Sequence, residues 1–331
     1  MTVTASAPTR VDLAGGTIDI WPLYLLHPGA QTVNAALTIR ATATLTGRDD
    51  GRVVLASDDL GVTTPPLPFD ALPGDDRLPL LAKLAHAFGA RGLTLSSRSD
   101  APAGAGIAGS SALNIATAAA LAQWTHRALD DAELLEVAKN VEAQVIRVPT
   151  GLQDYRPALH GGISALEFGP FGVTRVPLSV DPADLSARLV VCYTGAPRQS
   201  GINNWDITKR RIDGDPNVAG AFDDIVAATA RLRAALDAGD WPAVGRSLAD
   251  EWTTRKRLAP GVTTPAIDAL LDRAMSAGAW AGKVCGAGGG GCVFVLAPPD
   301  RVASVRGVWQ QAGVRVLECA IDPNGLEVTR A

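Results

Sequence analysis

Hydrophobic and polar residues alternate along several stretches of the first hundred positions. The alternation coincides with β-branched residues and is broken by glycine or aspartate, a combination typical of β-strands. The strands that it predicts cover residues 2–15, 32–47, 52–57 and 93–100. Residues 58–76 are polar and rich in proline, and we expect a surface loop there.

Elsewhere the apolar residues recur every three or four positions, as on one face of a helix. Asp130 begins one helix, because Glu133 three positions later completes a capping box, and Thr264 with Pro265 begins another. Further helices are predicted at 78–90, 111–129 and over most of 202–258, and further strands at 163–169, 172–178, 189–195 and from 292 onwards, with a final helix and strand.

Strands and helices are mixed without regular alternation, so the fold class that we predict is α+β. The 331 residues suffice for one large domain or two lobes in close contact. We expect the boundary near 165–188, with an N-terminal lobe at 1–175 and a C-terminal lobe at 176–331.

Composition narrows the class of protein. A net charge of −4 leaves no basic face and argues against nucleic acid as a partner. No apolar run approaches the length that spans a membrane, and the N-terminal MTVTASAPTR lacks the pattern of a signal peptide. Four scattered cysteines form no CxxC pair, which is typical of reduced thiols. We therefore expect a cytoplasmic protein without membrane contact.

Residues 100–116, DAPAGAGIAGSSALNIA, place three glycines and two serines directly before an alanine-rich helix. Glycines let the backbone approach a ligand closely, and the free N–H groups at a helix start bind anions. This stretch predicts a phosphate-binding loop, in which the hydroxyls of Ser110 and Ser111 could contact phosphate or magnesium.

The same glycines match the G-x-G-x-x-G spacing of dinucleotide-binding folds, a weak signal by itself. Such folds also place an acid about twenty residues later, at the end of a second strand. Asp130 and Asp131 lie at that distance but begin a helix. A dinucleotide-dependent oxidoreductase is therefore disfavoured.

Glu142 falls on the apolar face of the helix that Asp130 begins, between Leu135 and Ala138. Burying a carboxylate alone is prohibitive, so its partner is either a basic side chain or a metal ion. Asp154 follows in GLQDYRPALHGG, a segment too irregular for a simple helix. Two acids and two serines offer oxygen ligands for magnesium and a carboxylate for proton removal.

Two further segments are rich in glycine. APTRVDLAGGTIDIWP places Arg10 and Asp19 on either side of a Gly-Gly turn. GKVCGAGGGGCVFVL has glycine at five of the six positions 286–291, a density that ordinary turns do not need.

Three motifs in this order, APTRVDLAGGTIDI, PAGAGIAGSSAL and KVCGAGGGGCVFVL, resemble the GHMP kinase superfamily of galactokinase, homoserine kinase, mevalonate kinase and phosphomevalonate kinase. The resemblance spans nearly the whole chain. The Arg-x-x-x-x-Gly-Gly-x-x-Asp turn and GLQDYRPALHGG are most similar to the branch of heptose 7-phosphate kinases and fucokinases. Ile18, Ile107 and Ala108 depart from the residues usual at their positions.

The resemblance implies a ribosomal-protein-like N-terminal α+β lobe and a ferredoxin-like C-terminal α+β lobe, with ATP and acceptor in the cleft between them. It implies an ATP-dependent enzyme, with Mg²⁺ as cofactor, that phosphorylates a hydroxyl of a small-molecule sugar or sugar phosphate. A mevalonate-type kinase and a non-catalytic sugar sensor stay open as alternatives, as does a homodimer.

The resemblance also implies roles for single residues. Asp154 matches the catalytic aspartate, and Arg10 the arginine near the transferred phosphoryl group. Asp19, with Gly16 and Thr17 before it, would bind the acceptor.

Glu142 and one serine, Ser110 by alignment with Ser111 left open, would hold magnesium. The ATP phosphates would lie on Pro102, Gly104, Gly106, Ile107, Ala108, Gly109, Ser110 and Ser111. A third loop would lie against the active site, at Gly286, Ala287, Gly288, Gly289 and Gly290.

Arg198, in TGAPRQSG, follows the predicted strand 189–195. A guanidinium donates two hydrogen bonds at once and would suit a phosphate already carried by the acceptor. The alternative is that Arg198 caps a loop or pairs with a surface acid.

Overall fold

The computed structural model describes residues 1–197 and 200–331, with side chains for all of these except 200–203. Its helices are α1 (Pro79–Ala87), α2 (Gly109–Trp124), α3 (Asp131–Ile146), α4 (Tyr155–His160), α5 (Pro182–Ser186), α6 (Ser200–Ile212), α7 (Pro216–Asp237), α8 (Trp241–Arg255), α9 (Pro265–Ser276) and α10 (Val302–Gln311). Short 3₁₀ helices cover Leu23–Leu26 and Phe69–Gly74. None of the helices in these described ranges is both long and apolar enough to cross a membrane.

The strands form two sheets. They are β1 (Thr2–Ala14), β2 (Gln31–Gly47), β3 (Val53–Ser57), β4 (Val62–Thr63), β5 (Leu93–Ser99), β6 (Ile163–Gly169), β7 (Gly172–Pro177), β8 (Leu189–Tyr193), β9 (Ala281–Val284), β10 (Cys292–Leu296), β11 (Arg315–Leu317) and β12 (Glu327–Arg330). One sheet has the order β12-β1-β2-β5-β3-β4, with the β6–β7 hairpin on β2, and the other has the order β11-β8-β10-β9. The α+β class is confirmed.

Strand β2 is long enough to serve two neighbours on the same side. Its first half pairs with β6 and its second half with β5, while β1 pairs along most of its length. The C-terminal β12 returns to pair with the start of β1. The division at residue 175 stays a prediction.

The alanine-rich α2 packs across β1 and β2 and is buried on nearly every side. A second apolar cluster joins the inner halves of β1 and β2 to α7, α8 and the smaller sheet, through residues such as Leu13, Leu232 and Phe294. The two sheets therefore share a core. The loops that follow β5 and β9 both lie against β1 beside it.

Two details differ from the sequence-based expectations. The loop predicted at 58–76 contains β4 and a 3₁₀ helix. The segment after Asp154, predicted to be irregular, forms the short helix α4, which ends at His160 and is followed by Gly161 with φ of +64°. The residues before it make no helix, so the prediction was wrong for the second half of the segment only.

Candidate active site

The phosphate loop, residues 102–111, connects β5 to α2. Gly104, Gly106 and Ala108 have positive φ angles of 66°, 77° and 61°, and α2 begins at Gly109. The loop lines a pocket of about 300 Å³ together with Ser99 and Leu113. Since the N–H groups at a helix start and in tight glycine turns attract anions, this pocket suits a phosphate chain.

The third glycine loop, residues 286–291, lies directly on the phosphate loop. The backbone N–H of Cys292 donates to the carbonyl oxygen of Ala105 at 2.6 Å. A Cβ atom at Gly291 would lie 2.6 Å from that same oxygen, and one at Gly288 would lie 2.3 Å from the carbonyl oxygen of Val262. The high glycine content therefore has a steric cause, because two backbone segments approach closely here.

Arg10 joins the phosphate loop to Asp154. Its guanidinium donates to Asp154 Oδ1 from Nε at 3.0 Å and from Nη2 at 2.5 Å, and to the carbonyl oxygen of Gly106 from Nη1 at 3.0 Å. The backbone N–H of Arg10 also donates to Ile107 at 3.0 Å. Arg10 is 1% exposed and the Asp154 side chain 21% exposed, so only the carboxylate reaches the solvent-open side.

A second, smaller pocket of about 40 Å³ opens beside this pair, lined by Arg10, Thr17, Asp19, Asp154 and Arg255 among others. Asp19 Oδ2 accepts a 2.9 Å hydrogen bond from the backbone N–H of Gln153. Burial, followed by the charge of Asp154, raises the pKa of Asp19 to about 6. The pocket thus brings two carboxylates and two guanidinium groups together.

Glu142 is buried, and its described partners are three hydroxyl groups rather than a basic side chain. Ser110 donates to Oε1 at 2.8 Å, whereas Ser111 and Tyr155 donate to Oε2 at 3.1 and 2.5 Å. Ser110 is exposed and lines the larger pocket, whereas Ser111 is 2% exposed. The buried ion pair, one of the two alternatives for Glu142, is absent from its described contacts.

Glu142 and Ser110 fit a magnesium ion by their chemistry. Mg²⁺ prefers octahedral oxygen ligands at about 2.0–2.1 Å, which places neighbouring ligand oxygens about 2.9 Å apart. The separation of Ser110 Oγ and Glu142 Oε1 is 2.8 Å. Among the described residues no group of three or more His, Cys, Asp or Glu side chains could hold a metal, so other ligands would come from phosphate oxygens and water.

Sequence reasoning missed a buried ionic cluster beneath the small pocket, formed by Asp12, Glu251, Arg255 and Lys283. Lys283 Nζ lies 2.9 Å from Glu251 Oε1 and 3.2 Å from Asp12 Oδ2, and all three side chains are fully buried. Burial acts to raise the pKa of Asp12, but Lys283, Arg10 and Arg255 together lower it to about 2. A lysine inside the apolar stretch AWAGKVC is the signal that could have revealed the cluster, by the argument applied to Glu142.

The cluster supports both glycine-rich segments of the small pocket. Arg255 Nη2 donates to Thr17 Oγ1 at 3.1 Å and to the carbonyl oxygen of Gly286 at 2.8 Å. Asp12 Oδ1 accepts from the N–H of Gly286 at 2.9 Å. A Cβ atom at Gly16 would lie 2.5 Å from Arg255 Nη1. The Gly-Gly turn and the third glycine loop are therefore held against the same buried charges.

The predicted site residues come together at this junction with one exception. The phosphate loop, Arg10, Asp154, Asp19 and Glu142 line two adjoining pockets or contact their linings. Arg198 lies outside the described residues. The individual roles remain predictions.

Comparison with known proteins agrees with this architecture. Residues 78–162 match the family described as "GHMP kinases N terminal domain" and residues 232–315 match "GHMP kinases C terminal", together just over half of the chain. The chain is 27% identical to a D-glycero-alpha-D-manno-heptose 7-phosphate kinase of Campylobacter jejuni, over 91% of each chain. It is 28% identical to a galactokinase of Mycobacterium tuberculosis, over 95% of this chain and 94% of the relative.

Among solved structures, a putative sugar kinase from Campylobacter jejuni superimposes with a TM-score of 0.79 at 23% identity, over 100% of this chain and 98% of that one. The chain belongs to the GHMP kinase family, because both family models match it and the fold agrees with them. It is accordingly an ATP-dependent phosphotransferase with an alcohol group as acceptor.

Proposed function

We propose that this protein is a sugar kinase, which transfers the γ-phosphoryl group of ATP to a hydroxyl of a sugar or sugar phosphate. One observation carries the proposal: Arg10 contacts Gly106 of the phosphate loop and Asp154 of the small pocket with one guanidinium. A phosphate chain in the larger pocket and a hydroxyl in the smaller one would then meet at Arg10.

The phosphate loop would hold the ATP phosphates through its backbone N–H groups, as in other glycine-rich loops before a helix. Ser110 Oγ and Glu142 Oε1 would hold Mg²⁺, with Ser111 as a support behind Glu142 rather than a ligand, because Ser111 is buried on Oε2. The bound ion would supply neutralisation of the charge that develops on the phosphates.

Asp154 would accept the proton of the acceptor hydroxyl. Its Oδ1 is occupied by Arg10, so the proton would go to Oδ2. The acceptor oxygen forms a bond to the γ-phosphorus as the bond from that phosphorus to the β–γ bridging oxygen breaks, and ADP leaves. The positive charge of Arg10 lies where negative charge builds up on the transferred group.

Asp19 and Thr17 would bind further hydroxyls of the acceptor. Asp19 is held by the N–H of Gln153, and Thr17 by Arg255, so both oxygens have fixed positions in the pocket. Several fixed oxygen acceptors suit a polyol, and the relatives named for heptose 7-phosphate and galactose favour a sugar. A phosphate on the acceptor, bound by Arg198, would make the substrate heptose 7-phosphate-like.

Two alternatives make different predictions. A mevalonate-type kinase would use the same chemistry on a different acceptor. A sugar sensor would have no use for a proton acceptor beside Arg10. We further propose that the enzyme acts in the cytoplasm; a homodimer is compatible with the proposal and is not required by it.

The proposal is tested by measuring ADP release with purified protein, Mg-ATP and single acceptors. Sugar phosphates, neutral sugars and mevalonate form the panel. Acceptor-dependent release with a sugar or sugar phosphate supports the proposal, and a higher kcat/KM for the phosphorylated form supports the part assigned to Arg198. Release with mevalonate alone, or with no acceptor, contradicts it.

A further inference from the structure

Tyr155 connects the two halves of the site through its hydroxyl and its place in the chain. It is fully buried in the apolar cluster under the large sheet, and it follows Asp154 at the start of α4. Its hydroxyl donates to Glu142 Oε2 at 2.5 Å and lies 3.2 Å from Thr150 Oγ1. A buried tyrosine usually places its hydroxyl on a partner, and here the partner is the buried carboxylate of Glu142.

The two oxygens of Glu142 have different surroundings. Oε1 contacts Ser110 at the wall of the larger pocket, whereas Oε2 is held from behind by Ser111 and Tyr155. Two hydroxyl donors on Oε2 keep the carboxylate in one orientation, with Oε1 toward the pocket.

We propose that Tyr155 is a positioning residue that turns Glu142 Oε1 toward the phosphate loop and thereby sets the affinity for magnesium. Asp154 directly precedes Tyr155 at the start of α4. The same short stretch of backbone therefore positions Asp154 for the acceptor and, through Tyr155, Glu142 for the metal. The proposal rests on the assignment of Glu142 to magnesium in the proposed function.

The phenylalanine variant isolates the hydroxyl. Tyr155→Phe keeps the ring in the core and removes one of two donors to Oε2. Loss of a group that orients a metal ligand typically lowers metal affinity by about 10–100-fold. Tyr24→Phe is the matched control, because Tyr24 stacks on Phe168 with ring centroids 5.2 Å apart, away from Glu142.

The readout is calorimetric binding of a non-hydrolysable ATP analogue at a series of Mg²⁺ concentrations. We expect Tyr155→Phe to need at least about tenfold more Mg²⁺ for half of the Mg-dependent gain in affinity. Affinity without Mg²⁺ should not change, and Tyr24→Phe should match the wild type. Ser111→Ala removes the other donor to Oε2 and should shift the Mg²⁺ requirement in the same direction, which keeps the test open if Tyr155→Phe folds poorly.

Two negative results have different meanings. If the wild type binds nucleotide in a Mg²⁺-dependent manner and both folded variants have its Mg²⁺ requirement, the positioning role of Tyr155 is overturned and the proposed function stands. If nucleotide binding by the wild type does not depend on Mg²⁺, the assignment of Glu142 fails and the role of Tyr155 fails with it.

Discussion

Arg10 donates two hydrogen bonds to a single oxygen of Asp154 while a third binds the carbonyl of Gly106. The two residues are 144 positions apart in the chain, and the ion pair holds the start of α4 against β1. These three hydrogen bonds hold the Arg10 guanidinium in one position. The arrangement is therefore preorganised, which is the property that electrostatic catalysis requires.

The first prediction concerns Asp154→Asn. The amide oxygen can still accept from Arg10, but the side chain can no longer take a proton. We expect kcat to fall by about 10²–10⁴-fold, the usual contribution of a general base, with ATP affinity within about threefold of the wild type. Steady-state kinetics and calorimetry measure the two quantities. Turnover close to that of the wild type would remove Asp154 from the mechanism.

The second prediction separates the two interpretations of Glu142. In Glu142→Gln the three hydroxyl partners can rearrange, because each both donates and accepts. We expect the Mg²⁺ requirement of ATP binding to rise about tenfold or more and the free energy of unfolding to change by only about 1 kcal/mol. If the free energy of unfolding instead falls by several kcal/mol and the Mg²⁺ requirement of ATP binding is unchanged, Glu142 has a structural role and does not bind the metal.

The third prediction concerns the pH dependence that Asp19 imposes. Its pKa is raised from 3.8 to about 6 in the folded protein. The unfolded chain therefore ionises first as pH rises. The free energy of unfolding therefore falls as the pH rises from about 4 to about 6, by up to about 3 kcal/mol. Asp19→Asn lacks this loss, so its stability relative to the wild type should increase over that interval.

Urea unfolding of both proteins at pH 4, 5, 6 and 7 measures this difference. The comparison between the two proteins cancels the other titrating groups to a first approximation. A difference in unfolding free energy that stays constant with pH, or that moves in favour of the wild type as pH rises, would contradict the raised pKa of Asp19.

The fourth prediction tests the support of the Gly-Gly turn. A Cβ atom at Gly16 would lie 2.5 Å from Arg255 Nη1 and 2.7 Å from Asp12 Oδ2. These atoms are buried and cannot move into solvent, so Gly16→Ala should destabilise the fold by about 1–3 kcal/mol and raise KM for the acceptor more than for ATP. Thermal melts and the two KM values check this.

Gly220→Ala is the control for that substitution. Gly220 lies in α7, is exposed, and has nothing within 4 Å of the added Cβ atom. Alanine is preferred over glycine in a helix by about 1 kcal/mol, so this variant should be as stable as the wild type or slightly more so. Equal effects of the two substitutions would show that crowding against Arg255 is not what Gly16 avoids.

Local patterns in the sequence predicted much of the fold. The capping box of Asp130 and Glu133 and the N-cap at Thr264 are both present, because a cap depends only on residues within one turn. The same locality explains what was missed. The pairing of β12 with β1 joins the two ends of the chain, and nothing within either strand specifies its partner.

The sequence indicated a site residue where a charged side chain stands at an otherwise apolar position. Glu142 on an apolar helix face indicated a buried polar contact, but its donors lie up to 32 residues away, so the serines and Tyr155 could not be assigned to its two oxygens from spacing. Lys283 and Asp12 pair across 271 positions. Periodicity indicates which face of an element is buried, not which distant charge it meets.

Transfer of the γ-phosphoryl group to a sugar is tested most directly by ³¹P NMR of a reaction containing the protein, Mg-ATP and the acceptor that gives the fastest ADP release. We expect a new phosphate ester on the sugar that appears in step with ADP, and almost none with Asp154→Asn. Release of inorganic phosphate in place of a sugar ester, or equal ester formation by wild type and Asp154→Asn, would contradict it.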